Sequence, residues 1–149
     1  MYTPHTVTLY NVVKETDPDT QRDTMTNHIT ILRGVFLEAR KGTNVIKSGL
    51  EGVDAVTLYI PFSVPAVDGI TGEEKEYIGP MEFWRAEDKT GLWTLSADRN
   101  TFVIKGEVVE PDLSISKISL KYDDVYTITK VDAKDFGSLA MQHWECGGV

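Results

Sequence analysis

Hydrophobic and polar residues alternate in several short stretches of this chain, and that period of two predicts strands. Thr6–Asn11 places Val7 and Leu9 on one face, with Thr6, Thr8 and Tyr10 on the other. His28–Ala39 puts Ile29, Ile31, Val35 and Leu37 on one face, with Gly34 marking a bulge or bend. Ala55–Phe62 alternates most cleanly, through Val56, Leu58, Ile60 and Phe62; Pro61 and Pro65 end it and predict a sheet edge there. Leu92–Ser96 and Thr101–Val109 follow as strands, the latter with Phe102, Ile104 and Val108 on a shared face. Near the C-terminus, Tyr126–Val131, a polar turn over Asp132–Ser138 and Leu139–Glu145 predict a closing hairpin.

Other segments break the alternation. Lys14–Asn27 is polar, contains Pro18 and predicts a long loop. Arg40–Gly52 is punctuated by Gly42, Gly49 and Gly52 and predicts a second loop, locally basic through Arg40, Lys41 and Lys47. Val67–Lys75 carries Asp68-Gly69 and Thr71-Gly72, the signature of a hairpin turn. Pro80 suits the first position of a short helix within Gly79–Glu87. Leu113–Tyr122 fits two patterns: Leu113, Ile115, Ile118 and Tyr122 line a helix, whereas Ile118, Leu120 and Tyr122 alternate as a strand; the helix is preferred. The sum is a mainly β single domain over residues 1–149. It is a small barrel or sandwich of seven to eight short strands, with one or two short helices and extended loops at 14–27 and 40–52.

Composition narrows the function classes. A chain of 149 residues with 41% hydrophobic and 26% charged residues can bury a core of its own. No apolar run approaches the roughly 20 residues of a membrane helix. The N-terminus has neither a basic nor an apolar signal region, so synthesis and first action in a cytoplasm are expected. The single cysteine, Cys146, excludes an internal disulfide framework. A net charge of −8 disfavours a surface built to grip nucleic acid and favours a protein partner.

Candidate chemistry is thin. Lys47-Ser48 after Gly42 lacks the glycine that a P-loop needs before its lysine, because Ile46 stands there. Asp17, Asp19 and Asp23 are spaced like part of a calcium loop, but Arg22 and His28 occupy the positions of the required glycine and bidentate glutamate. His143 and Cys146 suggest a nucleophilic dyad, yet their odd separation puts them on opposite faces of a strand. Asp123, Asp124, Asp132 and Asp135 have no histidine at ligand spacing and suit turns and caps. Trp84, Trp93 and Trp144 could stack on sugar or bases, but core or interface packing suits their positions better, with Trp84 and Trp144 as candidate interface anchors. Neither catalytic residues nor a cofactor or metal site is therefore expected.

Three stretches, RGVFLEARKGTNVIKSG (33–49), DAVTLYIPFS (54–63) and VYTITKVDAKDFGSLAMQHWECGG (125–148), together carry a resemblance. They resemble small structural proteins encoded beside the capsid and portal genes of tailed phages and prophages of Gram-positive hosts. Such head-closure (stopper) and head–tail joining proteins are compact β-barrels with a long loop, stacked as rings beneath the portal. The resemblance implies a structural, non-enzymatic virion component that closes the DNA-filled head and joins the tail. Its implied partners are copies of itself, a portal or adaptor protein and a tail protein, with only passing contact with DNA and no membrane. The loops at 14–27 and 40–52 are its candidates to face a channel or partner, through Arg40, Lys41 and Lys47 in the second. Two other classes stay open on the residues alone: an acidic inhibitor that mimics nucleic acid toward a host protein, and a β-module that binds a small ligand or carbohydrate.

Overall fold

The alternating segments pair into an antiparallel ladder that returns to its starting strand. The computed structural model describes residues 2–39 and 55–149. Its strands are β1 (His5–Thr16), β2 (Asp23–Ala39), β3 (Val56–Pro61), β4 (Ala66–Asp68), β5 (Glu76–Tyr77), β6 (Leu92–Trp93), β7 (Thr101–Lys105), β8 (Val125–Lys134) and β9 (His143–Gly148). Two short helices, α1 (Pro80–Arg85) and α2 (Ile115–Lys121), and a 3-10 turn at Leu139–Met141 accompany them. Hydrogen-bonded neighbours run β1–β2–β3–β9–β8–β7 and back to β1, closing a six-stranded barrel. Closure leaves these strands no open sheet edge within the barrel. The fold is thus mainly β, as the alternation predicts, and the strand count exceeds eight only through the two-residue pair β5–β6.

Every barrel strand sends apolar residues inward. Val7 and Leu9, Leu32 and Val35, Leu58 and Ile60, Val103, Tyr126 and Ile128, and Trp144 and Cys146 form one buried cluster. Trp93 and Leu95 enter the same cluster from the segment between β4 and β7. Gly34 is the predicted bulge. Its φ is +98°, and the β1–β2 register slips there, with Thr6 opposite Arg33 but His5 opposite Val35. The extra residue reverses the faces of β2, so the expectation that Ile29, Ile31, Val35 and Leu37 share one face fails. Val35 and Leu37 enter the barrel, whereas Ile29 joins a second cluster outside it.

That second cluster explains why β1 is buried on both faces. Tyr10, Ile29, Phe102, Ile104 and Ile118 are sealed beneath α2, with Leu113, Ile115 and Tyr122 packed against them. The helical reading of Leu113–Tyr122 is correct, and Ser114 caps the helix by accepting from the Lys117 amide at 3.4 Å. Pro80 opens α1 as expected. The Val67–Lys75 hairpin also forms: Asp68 Oδ1 accepts from the amides of Ile70 and Thr71, at 2.8 and 2.9 Å.

Three further sequence expectations are corrected or narrowed. Lys14–Asn27 is no loop: β1 and β2 run on through it as a two-stranded arm, from Val12 opposite Asn27 to Thr16 opposite Asp23. Only residues 17–22 turn. Both faces of the outer arm meet water, so no apolar alternation marks it. Threonines, the Thr16 hydroxyl on Asp23 (2.7 Å) and the Lys14–Asp23 pair (3.1 Å) supply the cross-strand contacts instead. Second, the edge expected at Pro61 is confined to the end of β3: the strand lies between β2 and β9 through Tyr59, but Ile60 and Pro61 pair with β9 alone, where a missing N–H costs the ladder little. Third, the strand predicted at Leu92–Ser96 stops at Trp93. The buried Asn11 side chain replaces the ladder beyond it, donating to Thr94 O at 3.0 Å and accepting from Thr94 N at 3.3 Å.

Candidate functional site

The residues singled out by sequence do not converge. Arg40, Lys41 and Lys47, with the Lys47-Ser48 motif and the predicted loop at 40–52, lie outside the described residues. Trp84 is half-buried on α1, edge-on to Phe83 with ring centroids 5.0 Å apart. Trp144 is 7% exposed and packs against Phe62 (4.5 Å), Tyr77 (4.3 Å) and Trp93 (5.6 Å). As an interface anchor Trp144 is therefore corrected to a core residue: its strand parity turns it into the barrel. The same packing removes Trp93 and Trp144 from any sugar- or base-stacking platform.

Strand β9 separates His143 from Cys146 as its period demands. Cys146 is buried opposite Leu58, whereas His143 lies outside beside Tyr59. Burial, reinforced by Asp132 and Glu145, pushes the Cys146 thiol up to about 12. Cys146 should accordingly resist a thiol reagent such as DTNB at pH 8 in the native protein and react at once in denaturant. Rapid stoichiometric labelling of the native protein would contradict the burial.

The carboxylates are engaged locally. Asp17 accepts from the Asp19 amide at 2.8 Å, Asp132 pairs with Lys130 at 3.3 Å, and Asp124 accepts from the Tyr126 hydroxyl at 3.0 Å. Among the described residues no three His, Cys, Asp or Glu side chains are grouped to hold a metal ion. No helix among them is long and apolar enough to cross a membrane.

One arrangement does assemble on the barrel's outer surface. His5 on β1, Phe36 on β2, Tyr59 on β3 and His143 on β9 come from four adjacent strands, and Tyr2 joins from the N-terminal segment. Successive centroids are 5.5 Å apart for His5–Phe36, 5.8 Å for Phe36–Tyr59, 5.9 Å for Tyr59–His143 and 6.3 Å for Tyr2–Phe36. Each pair lies within the range of favourable aromatic contact. The rings of Tyr2, Phe36, Tyr59 and His143 line an open apolar hollow of about 410 Å³.

Both imidazoles are oriented by the backbone. His5 Nδ1 accepts from the Leu37 amide at 3.0 Å, so its proton sits on Nε2. His143 Nδ1 lies 2.8 Å from Met141 O, which only accepts, so Nδ1 carries the proton there. The neighbouring outward positions bear Glu145, opposite Tyr59, and Lys134, opposite His143. An aromatic strip with a charged border can take up another protein's apolar side chains. Sequence reasoning missed it, although Phe36 and Tyr59 gave a signal. Each sits at the polar parity of its strand, between the buried Val35 and Leu37 or Leu58 and Ile60.

No curated protein and no solved structure matches the chain. One family model matches residues 2–149, spanning the barrel, both helices and the aromatic strip, and the chain belongs to that family of unknown function, DUF6751.

Proposed function

We propose that this protein is a structural component of a tailed-phage virion, a barrel subunit at the head–tail interface that docks on neighbouring proteins through its aromatic strip. The observation that carries the docking is the strip itself. Five rings cross four strands on an outer surface, Tyr2 being 76% exposed. The other four rings are half-buried, and partly exposed aromatic surface bordered by charge suits a protein-binding face. The connector reading rests on the resemblance of residues 33–49, 54–63 and 125–148 to head-closure and head–tail joining proteins. A ring subunit needs lateral contact faces and an axial projection; the strip and the β1–β2 arm suit those needs. The net charge of −8 suits a channel that lets DNA pass without holding it. Partners in this reading are copies of the protein in a ring, a portal or adaptor protein and a tail protein. Its location is the virion, reached from the host cytoplasm during assembly.

Size-exclusion of portal-bearing particles mixed with the protein tests this reading, with negative-stain images of the particles before and after. The wild-type protein should co-migrate and add density beneath the portal. A Phe36→Glu, Tyr59→Glu double variant should stay folded by circular dichroism and elute alone. Failure of the wild-type protein to co-migrate removes the connector role. Undiminished binding by the double variant removes the strip as its docking face.

A further inference from the structure

At the rim of the barrel nearest the arm, one titratable ring is left unsatisfied. β7 leaves β1 at the Asn11–Thr101 pair, so Asn11 and its β2 partner His28 form the last barrel rung. Asn11 has the inward parity of Val7 and Leu9, and His28 that of Leu32. Asn11 is satisfied through Thr94 and through the Thr101 hydroxyl at 3.2 Å. His28 is not: its Nε2 is enclosed by protein and has no hydrogen-bond partner. Against this ring stands Phe83, the buried residue of α1, perpendicular to the imidazole with centroids 6.1 Å apart.

α1 has few means of holding itself in place. It is six residues long, its N-cap Gly79 offers no side-chain cap, and Met81 is 62% exposed. A helix this short persists through its tertiary contacts. Charged groups face His28 from each element around it: Glu15 from β1, Asp68 from the end of β4, Lys75 from the hairpin that follows, and Lys89 from the turn after α1. Lys75 Nζ is almost fully enclosed and bonds Ile29 O and the Thr30 hydroxyl, both at 3.0 Å, beside the His28 strand segment. Asp68 is already engaged by Lys75 at 3.4 Å and by two amides. Lys89 donates to Ala86 O at 2.6 Å and lies 5.7 Å from the Phe83 ring centre.

We propose that α1 is a pH-released cover on this end of the barrel. Neutral His28 seats Phe83 on the rim. A proton taken from solvent makes Nε2 a charged donor that has no hydrogen-bond partner while Phe83 stands against the ring. Lifting α1 away exposes Nε2 to water.

The sign follows from the environment. Burial first, then Lys75, holds the His28 imidazole below the ordinary histidine value; Glu15 and Asp68 oppose this without reversing it. The open form therefore binds the proton more tightly than the closed form. The closed form is favoured above about pH 6.5, and that preference is lost as pH falls through the closed-state value.

Hydrogen–deuterium exchange and an NMR titration of the intact protein between pH 8 and pH 5 test the cover. The amides of residues 83–86, corrected for intrinsic rates, should exchange several-fold faster at pH 5 while those of β7–β9 stay protected. The His28 ring should titrate in step with the α1 amide shifts. A His28→Phe variant, which keeps an aromatic seat for Phe83, should hold α1 protected across the whole range. Protection of residues 83–86 that ignores pH, or an acid opening that persists in His28→Phe, overturns the proposal. Should that variant fail to fold, the wild-type titration decides alone: a His28 ring that titrates while the α1 amides stay unmoved also overturns it.

Discussion

Trp144→Ala should destabilise the protein by about 3–5 kcal/mol, the range for truncating a buried tryptophan. Trp144 is the largest side chain of β9 in the core, and three aromatic rings, Phe62, Tyr77 and Trp93, pack on it. β9 pairs with β3 on one side and β8 on the other, so its loss opens the barrel. Against a typical total of about 5–15 kcal/mol, this is a large fraction. Urea unfolding followed by far-UV circular dichroism should show a much lower midpoint at an unchanged slope. Trp144→Phe should lose clearly less. An alanine variant within about 1 kcal/mol of wild type would refute the core placement.

Asp68→Ala should cost about 3 kcal/mol, and Lys75→Met clearly less, although the two residues form one ion pair. The asymmetry comes from burial. The Lys75 side chain is 2% exposed and that of Asp68 28%, so removing the carboxylate strands an ammonium in the protein. Removing the lysine leaves a carboxylate that still accepts from the amides of Ile70 and Thr71 and reaches water. Burial raises the Asp68 carboxyl, but those amides and Lys75 outweigh it and hold the group below the usual aspartate range. The stability due to Asp68 is therefore present above about pH 4 and lost as pH falls through its folded value. Parallel urea titrations of both variants at pH 7, with Asp68→Asn across pH 2–5, check the order and the acid limb. A larger loss in Lys75→Met would contradict it, as would an acid limb in Asp68→Asn as steep as in wild type.

How far the fold was legible depended on which faces were buried. Val56, Leu58 and Ile60 alternate because β3 buries one face only, and the strand stands where its pattern put it. Leu113, Ile115, Ile118 and Tyr122 all reach the second cluster, so their helical spacing was a true signal. The arm at Thr16 and Asp23 was illegible for the opposite reason. With both faces in water, nothing in its pattern separates strand from loop, and the pairing itself holds it. Tyr10 was legible only as the polar-side residue of β1, because its cover, α2, arrives about a hundred residues later in the chain.

The candidate site shows the same division. The opposite faces of His143 and Cys146 were determined by the sequence alone, since a strand's period of two needs no partner to operate. Which of those faces is core was not. Trp144, a candidate anchor on the surface, went inside, and Phe36 and Tyr59, read as strand members, came out as an aromatic strip. His28, met as a failed calcium ligand, became the ring beneath Phe83.

By itself, then, the sequence determined the β-rich class, the bulge at Gly34, the Asp68 turn and the helix start at Pro80. Each depends on residues a few positions apart, through side-chain alternation, a positive φ or a local cap. Only the tertiary structure decided barrel closure, the second core beneath α2, the arm, the aromatic strip and the enclosed His28. Those depend on which distant strands become neighbours, and burial is a property of neighbours, not of the residue that is buried.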